Sequence, residues 1–142
     1  MSQKIKPYSF RLGIIETWKS RWFARKSFKN QLEEDMCIRK LVEKMMGAAG
    51  IVRIDIERTA NNNYRIIIKA ARPGFIIGRG GKGIEVLHKA IEAALKKLFL
   101  TRGIARPAFS VSLNIEELKR FEISAVVTAQ NIAADLQKRM PA

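Results

Sequence analysis

The stretch Ile76-Ile77-Gly78-Arg79-Gly80-Gly81 holds the residues whose types and spacing best suit chemistry, and that chemistry is phosphate binding. Glycine has no Cβ, so Gly78 and Gly81 let the backbone turn sharply and let a ligand come very close. Arg79 puts a cation at the tip of the turn, and Lys82 follows it. Backbone N–H groups and cations in this arrangement predict contact with a sugar–phosphate strand. The two isoleucines before the loop are expected to pack it onto a core.

Two other phosphate-binding motifs contain similar glycines, and neither fits. The dinucleotide fingerprint G-x-G-x-x-G matches Gly78 to Gly83, but it needs a strand immediately before it and an acidic residue about twenty positions after it. Pro73-Gly74 separates the loop from the preceding strand, and residues 101–106 contain no acid. A P-loop needs Gly-Lys followed by Ser or Thr, whereas Lys82 is followed by glycine.

Composition predicts a basic, folded domain with a polyanionic partner. The 142 residues are 47% hydrophobic, which is enough for one packed domain with an arm. Lys and Arg number 27 against 13 acidic residues, and the net charge of +14 points to nucleic acid or an anionic membrane surface. Cys37 is the single cysteine, which favours a reducing compartment and an apolar role for its side chain. The sequence has no apolar run of the ~18 residues that a membrane span needs and no secretory signal pattern.

Basic and aromatic residues alternate in the first thirty positions, which we call the arm. Residues 1–30 carry eight basic side chains against one acid, together with six of the eleven aromatics. Cations can meet phosphates and rings can stack on bases, so the pattern predicts an arm that lies on RNA. The alternative is that Trp18, Trp22 and Phe23 insert into the core of the protein itself. Because the segment has little helical pattern, we expect it to be extended and to become fully ordered on binding.

The elements that must position the loop follow from hydrophobic periodicity. The pattern predicts a helix from residue 31, strands over 52–57, 64–70 and 109–115, a hairpin turn at 61–63, a helix over 84–98, a loop over 101–107 and a last helix over 123–138. With a short helix before the glycine loop, the order is αββααβ. This order predicts an α+β fold in which helices cover a three-stranded sheet, preceded by the basic arm and followed by an extra C-terminal helix. A basic Gly-x-x-Gly loop between two helices is how a KH module holds single-stranded nucleic acid.

Nothing in the sequence favours an enzyme. His88 is the only histidine and is expected to be a surface or boundary side chain. The carboxylates of Glu33-Glu34-Asp35 and Glu116-Glu117 lack a nucleophile or metal-ligand spacing, so we interpret them as solvated helix ends. We therefore expect no chemistry, cofactor, metal or small-molecule substrate.

The chain resembles the bacterial-type small-subunit ribosomal protein three family. The resemblance rests on Ala71 to Gly81, Gln3-Lys4, Pro7, Arg11-Leu12-Gly13-Ile14, Trp18, Trp22-Phe23-Ala24, Ile54 to Arg58 and Leu136 to Arg139. It implies a type II KH fold and a structural place in the head of the small ribosomal subunit in the cytoplasm. It also implies contact with small-subunit ribosomal RNA near the messenger RNA entry channel, beside neighbouring head proteins.

The loop, the arm and the resemblance together give one set of expected RNA-binding residues. These are Gln3, Lys4, Lys6, Arg11, Arg21, Trp22, Arg25, Lys26, Arg72, Gly78, Arg79, Gly80, Gly81 and Lys82. The expected organisation is an arm over 1–30, a KH domain over 31–117 and a C-terminal helix over 118–142.

Two departures from the family pattern bear on function. Family members usually continue into a second α+β domain, which carries most of the basic side chains that meet messenger RNA, whereas this sequence stops at Ala142. The stretch Lys96 to Phe109 is longer and more basic than usual, and it is either an added RNA or protein contact or a solvated loop. A free-standing KH regulator and a basic membrane-surface protein are the alternative functions.

Overall fold

The computed structural model describes residues 3–59, 63–103, 108–120 and 124–138. Its elements are α1 Pro7–Arg11, β1 Ser20–Arg21, α2 Phe28–Met46, β2 Ile51–Thr59, β3 Asn63–Ala70, α3 Pro73–Ile77, α4 Lys82–Thr101, β4 Ser110–Glu117 and α5 Ala125–Gln137. Short 3₁₀ turns at Gly47–Ala49 and Arg79–Gly81 join α2 to β2 and α3 to α4. The αββααβ order expected from periodicity is confirmed by α2, β2, β3, α3, α4 and β4.

The four strands form one sheet in the order β1-β2-β3-β4. Strands β2 and β3 are antiparallel, and β4 lies parallel to β3. These are the three expected strands. The fourth, β1, comes from the arm and pairs in parallel with β2 through Ser20 and Arg21. Two residues are too short for a visible alternation of apolar side chains, which is why the sequence did not predict this strand. Asn63 is the first residue of β3, and the rest of the expected hairpin turn lies outside the described residues.

The core lies between the sheet and the two long helices. Alternate residues of β2 and β3, such as Ile56, Ile66 and Ile68, are fully buried in the same cluster as Leu87 and Leu95 of α4. This is the result expected when a period-two strand pattern meets a helix whose apolar residues recur every three or four positions. Because α4 is anchored along its length, its N-terminus and the preceding loop are held in a fixed place.

Some element bounds differ from those expected. Helix α2 begins at Phe28, three residues before the expected start, and α4 continues to Thr101. Lys96 and Lys97 lie on α4, within the helix expected over 84–98, and the extension adds residues 99–101. The extension is stabilised by Phe99, which is buried and packs against Phe109 with ring centroids 5.7 Å apart. Residues 104–107 of the expected loop, and Ile123 at the expected start of the last helix, lie outside the described residues.

Candidate nucleic-acid interface

The glycine loop connects α3 to α4 as an exposed turn. Gly78, Gly80 and Gly81 have φ angles of 67°, 63° and 78°, in the left-handed region that favours glycine. A Cβ added at Gly80 or Gly81 would meet nothing within 4 Å, so these two residues border open space. The conformation therefore requires glycine, and the space in front of it allows a ligand to approach the backbone.

A further glycine, Gly83, brings the two helices of the loop together. A Cβ at this position would overlap the carbonyl oxygen of Ile76 and would lie 3.0 Å from that of Ile77. Ile76 is fully buried, so α3 cannot move away without disturbing the core. The sequence motifs that include Gly83, a dinucleotide fingerprint and a P-loop, do not predict this packing role. A glycine in the first turn of a helix was the available signal, because it is costly there unless packing requires it.

Three exposed cations surround the loop. Arg79 and Lys82 lie in it, and Arg72 immediately precedes α3. The backbone N–H of Arg72 donates to the carbonyl of Ala49 at 3.0 Å, which fixes the base of that side chain. Within the described part of the chain, none of the three forms an ion pair. Their charges add to the positive potential at the N-terminus of α4.

Apolar side chains lie beside these cations. Ile76 packs into the core as expected, but the same expectation is wrong for Ile77, which is 39% exposed. Phe75, on the same short helix, is 63% exposed. An exposed aromatic ring next to a cationic loop suits stacking on a base. The surface around the loop thus combines positive charge with apolar contact area.

The arm is attached to the edge of the sheet by two arginines of the domain. Arg53, on β2, donates from Nη1 to Glu16 Oε2 at 3.0 Å and from Nη2 to the carbonyl of Thr17 at 2.7 Å. Arg39, on α2, donates from Nη2 to the carbonyl of Lys19 at 2.8 Å. A hydrogen bond from Arg53 to Asp55 raises the pKa of the guanidinium against the opposing effect of burial. Both arginines therefore bind protein groups, and neither was expected from the sequence to have a particular role.

A second cluster of charges lies at the junction of the arm with α2. Arg58 forms ion pairs with Glu34, at 2.6 Å, and with Asp35, while the indole N–H of Trp22 donates to Asp35 at 2.7 Å. Glu34 also accepts from the hydroxyl of Tyr64 at 2.9 Å. Burial opposes the charge of Arg58, but the hydrogen bonds with Asp35 and Glu34 and the charge of Asp35 outweigh it and raise the pKa of the guanidinium.

The interpretation of Glu33-Glu34-Asp35 as a solvated helix end is wrong for two of its members. Glu34 and Asp35 lie within α2 and are buried, because Arg58 and Arg102 reach them from other elements. Arg102 donates to Glu34 and Glu33, at 2.6 Å each. This basic residue after α4 therefore binds carboxylates of the protein itself. Glu116 and Glu117 are exposed, but they end a strand and not a helix.

Comparison with known families agrees with this geometry. A family model described as the KH domain matches residues 37–123, which include the sheet strands β2 to β4 and the glycine loop. The chain belongs to the KH domain family. The expected KH type II fold, with helices covering the sheet and the glycine loop between α3 and α4, is confirmed.

The chain is similar to known proteins over nearly its whole length. It is 45% identical over 141 residues to small ribosomal subunit protein uS3 of Caldicellulosiruptor saccharolyticus, covering 99% of this chain and 58% of the relative. The corresponding protein of Trichlorobacter lovleyi is 41% identical over 140 residues, with 99% and 60% covered. That of Alkaliphilus oremlandii is 40% identical over 141 residues, with 99% and 54% covered. The resemblance to the ribosomal protein three family is thereby confirmed, and the chain spans just over half the length of these relatives.

The expected site residues separate into two groups on the KH domain. Arg72 follows the end of β3, where Ala70 pairs with Ile51, the first residue of β2, and the loop comes after the five-residue helix α3. Arg21 pairs with Glu57, six residues further along β2, and Trp22 follows it. At about 3.3 Å per residue, the end of β3 and the pairing of Arg21 are roughly 20 Å apart along β2. The expected residues therefore divide into a group that follows this end of β3 and a group in the arm.

The remaining expected residues lie in the arm on either side of this pairing. Gln3, Lys4, Lys6 and Arg11 precede it and are exposed, and Arg25 and Lys26 follow it and are also exposed. Trp22 is only half-buried, but its N–H already donates to Asp35 and its ring lies 5.4 Å from that of Phe28. Arg21 donates to Glu57 at 2.9 Å. Participation of each residue in RNA binding stays a prediction.

The described residues also include the single histidine and the single cysteine, and they bear on metal binding and membrane insertion. His88 lies at the boundary of the core, as expected, with Nε2 2.9 Å from the carbonyl of Val111. No group of three or more metal-ligating side chains occurs among the residues that the structure describes. In the same part of the chain, no helix has the length and apolar character needed to cross a bilayer. Burial raises the pKa of the Cys37 thiol, which disfavours the reactive thiolate.

Proposed function

We propose that this chain is the KH-containing part of a structural protein of the small ribosomal subunit and binds small-subunit ribosomal RNA without performing chemistry. The observation that carries the proposal is the glycine loop, an exposed left-handed turn surrounded by Arg72, Arg79 and Lys82. Similarity to uS3 proteins over 99% of the chain supports the ribosomal setting. In this setting the protein acts in the cytoplasm, in the head of the subunit.

The two groups of expected site residues contact different stretches of RNA in this proposal. The loop receives a sugar–phosphate strand at its backbone N–H groups, and the side chains of Arg79 and Lys82 neutralise the phosphates. The arm supplies Lys4, Lys6 and Arg11 on one side of β1 and Arg25 and Lys26 on the other. Roughly 20 Å of β2 separates the pairing of Arg21 from the end of β3 that precedes Arg72. Folded ribosomal RNA can present strands at both places.

The same proposal includes further binding partners and a division of the chain into segments. Messenger RNA at the entry channel and neighbouring proteins of the subunit head are further contacts that we propose. The division into an arm over 1–30, a KH domain over 31–117 and a C-terminal helix over 118–142 is proposed with them. The helix α5 contacts the domain through Val127, which is buried, and through Gln130, whose side-chain amide donates to the carbonyl of Ile51 at 3.4 Å.

The double variant Arg79→Asp/Gly80→Asp tests the contact at the loop. It should weaken binding to a transcript of the head region of small-subunit ribosomal RNA. The variant should still unfold cooperatively, with a loss of about 1 kcal/mol from Asp at the positive φ of Gly80. The matched control is Lys44→Asp/Gly47→Asp. A Cβ at Gly47 would meet nothing within 4 Å, and Lys44 is exposed on α2. Both variants remove the same charge, so a reduced affinity in the first alone assigns the effect to the loop.

Two results would contradict the proposal. Equal affinities of the folded loop variant and the wild-type protein would show that the loop does not touch RNA. In a second experiment, the native protein is followed through a sucrose gradient. It should sediment with small ribosomal subunits, whereas a position near the top of the gradient would favour a free-standing KH regulator.

A further inference from the structure

The backbone of the arm is held most closely where it passes Arg53. The guanidinium of Arg53 donates to the Glu16 carboxylate, to the Thr17 carbonyl and, at 2.8 Å, to the Thr17 hydroxyl. Its Nε donates to Asp55 at 2.6 Å, so that a buried carboxylate orients the guanidinium. The planar fork of an arginine is suited to several acceptors at once, and a lysine could not reproduce this set.

A second attachment follows at Lys19, whose carbonyl accepts two hydrogen bonds. One comes from Arg39 Nη2 at 2.8 Å, and the other from the backbone N–H of Ile56, on the edge of β2, at 2.9 Å. Arg39 also donates to the Ser20 hydroxyl at 2.9 Å and to the carbonyl of Ile54. The arginine thus bridges the arm to the strand beside it.

We propose that Arg39 and Arg53 are positioning residues that hold the arm on the KH domain before RNA binds. This inference rests on the proposed function, because an arm held on the domain would present its cations to RNA. It replaces the expectation of an extended arm that becomes fully ordered on binding. Neither arginine acts as a phosphate ligand, since their donors are already bonded to protein acceptors and the side chain of Arg53 is only 17% exposed.

A held arm changes the energetics of binding. The apparent affinity of a protein scales with the fraction of molecules in the binding-competent state. If a variant leaves the arm docked in about one tenth to one third of molecules, affinity should fall roughly three- to tenfold. This decrease needs no change in any residue that touches RNA.

The variant Glu16→Lys separates this effect from simple electrostatics. It places a cation against Arg53 and adds two units of positive charge to the arm. Simple attraction to phosphates would therefore raise RNA affinity, whereas loss of the attachment should lower it. The matched control is Asp135→Lys, which makes the same charge change on the exposed face of α5. Both variants lie outside the core, and urea unfolding should show that each retains its fold.

Hydrogen exchange at the Ile56 amide gives a readout that does not depend on RNA. In the wild-type protein and in Asp135→Lys this amide should exchange slowly, because Lys19 covers it. In Glu16→Lys it should exchange faster, while the Ile66 amide of the central strand stays protected. Affinity for the ribosomal RNA transcript should fall three- to tenfold in Glu16→Lys alone.

The inference and the proposed function can fail separately. If the Ile56 amide stays protected in Glu16→Lys, or if this variant binds RNA as tightly as Asp135→Lys, the positioning role is wrong. If the wild-type protein binds no ribosomal RNA, the proposed function fails. Exchange at Ile56 would then still decide whether the attachment of Glu16 to Arg53 holds the arm.

Discussion

Replacing Gly83 with alanine is expected to destabilise the protein, although alanine is the better helix former. Gly83 is the second residue of α4, and helix propensity alone would favour alanine there by at most about 1 kcal/mol, the value for a helix interior. The added Cβ would overlap the carbonyl oxygen of Ile76 and stand 3.0 Å from that of Ile77. Both obstacles are backbone atoms of α3, and rotation of a side chain cannot relieve them.

The size of the effect follows from these two opposing contributions. Forcing an extra carbon into a packed contact costs about 1–3 kcal/mol, and the upper end applies because Ile76 anchors α3 in the core. Subtracting the gain in helix propensity leaves a decrease of about 2 kcal/mol in the free energy of unfolding. Displacement of α3 should also disturb the glycine loop and weaken RNA binding.

Urea denaturation of Gly83→Ala and of a second glycine variant provides the assay. Gly47 has φ −54° and ψ −35°, and a Cβ there would meet nothing within 4 Å. Gly47→Ala should therefore stabilise the protein by about 0.4–1 kcal/mol through the unfolded chain. If Gly83→Ala is as stable as the wild-type protein or more so, the close approach of α3 to α4 does not exist in solution.

Three further predictions address the charges. Arg58→Ala should lower the free energy of unfolding by about 3–5 kcal/mol in urea, because it leaves Glu34 and Asp35 buried without their main cation; a decrease below about 1 kcal/mol would mean that the cluster is solvated. Burial, followed by the charge of Glu34, raises the pKa of Tyr64 above its ordinary value near 10. Stability contributed by the neutral phenol is therefore complete below about pH 10 and declines as the pH rises further, and the decline should be shallower in Tyr64→Phe. Removal of residues 1–27 should reduce the salt dependence of RNA binding by roughly 0.7–0.9 in log–log slope for each phosphate that the arm neutralises in the wild-type complex. A slope that does not change would exclude the arm from the interface.

Local patterns were sufficient to predict the elements that carry the glycine loop. Ile54 and Ile56 alternate with polar residues, which indicates a strand. Leu87, Ile91 and Leu95 recur at helical spacing, which indicates a helix. Turn chemistry is equally local, since only glycine readily takes up the positive φ of Gly80. These features depend on neighbours within a few residues, which a sequence displays directly.

The attachments of the arm could not be predicted in this way, because their partners are far apart in the chain. Glu16 and Arg53 are 37 residues apart, and Glu34 and Arg102 are 68 apart. A carboxylate on a helix looks solvated in sequence when the arginine that buries it comes from another element. The same limit applies to Trp22, whose basic surroundings suggest RNA although its N–H bonds to Asp35.

The internal pairing of arginines makes the rest of the surface more strongly basic than the net charge suggests. Arg53, Arg58 and Arg102 bind five of the thirteen carboxylates, namely Glu16, Glu33, Glu34, Asp35 and Asp55. These three cations and five acids together carry a net charge of −2, so the other 24 basic and 8 acidic residues carry +16, compared with +14 for the whole chain. Paired arginines hold the arm and the sheet together, whereas exposed cations remain available to phosphates. Charge on this protein therefore has two separate uses, and position in the fold, not residue type, decides which use a given arginine has.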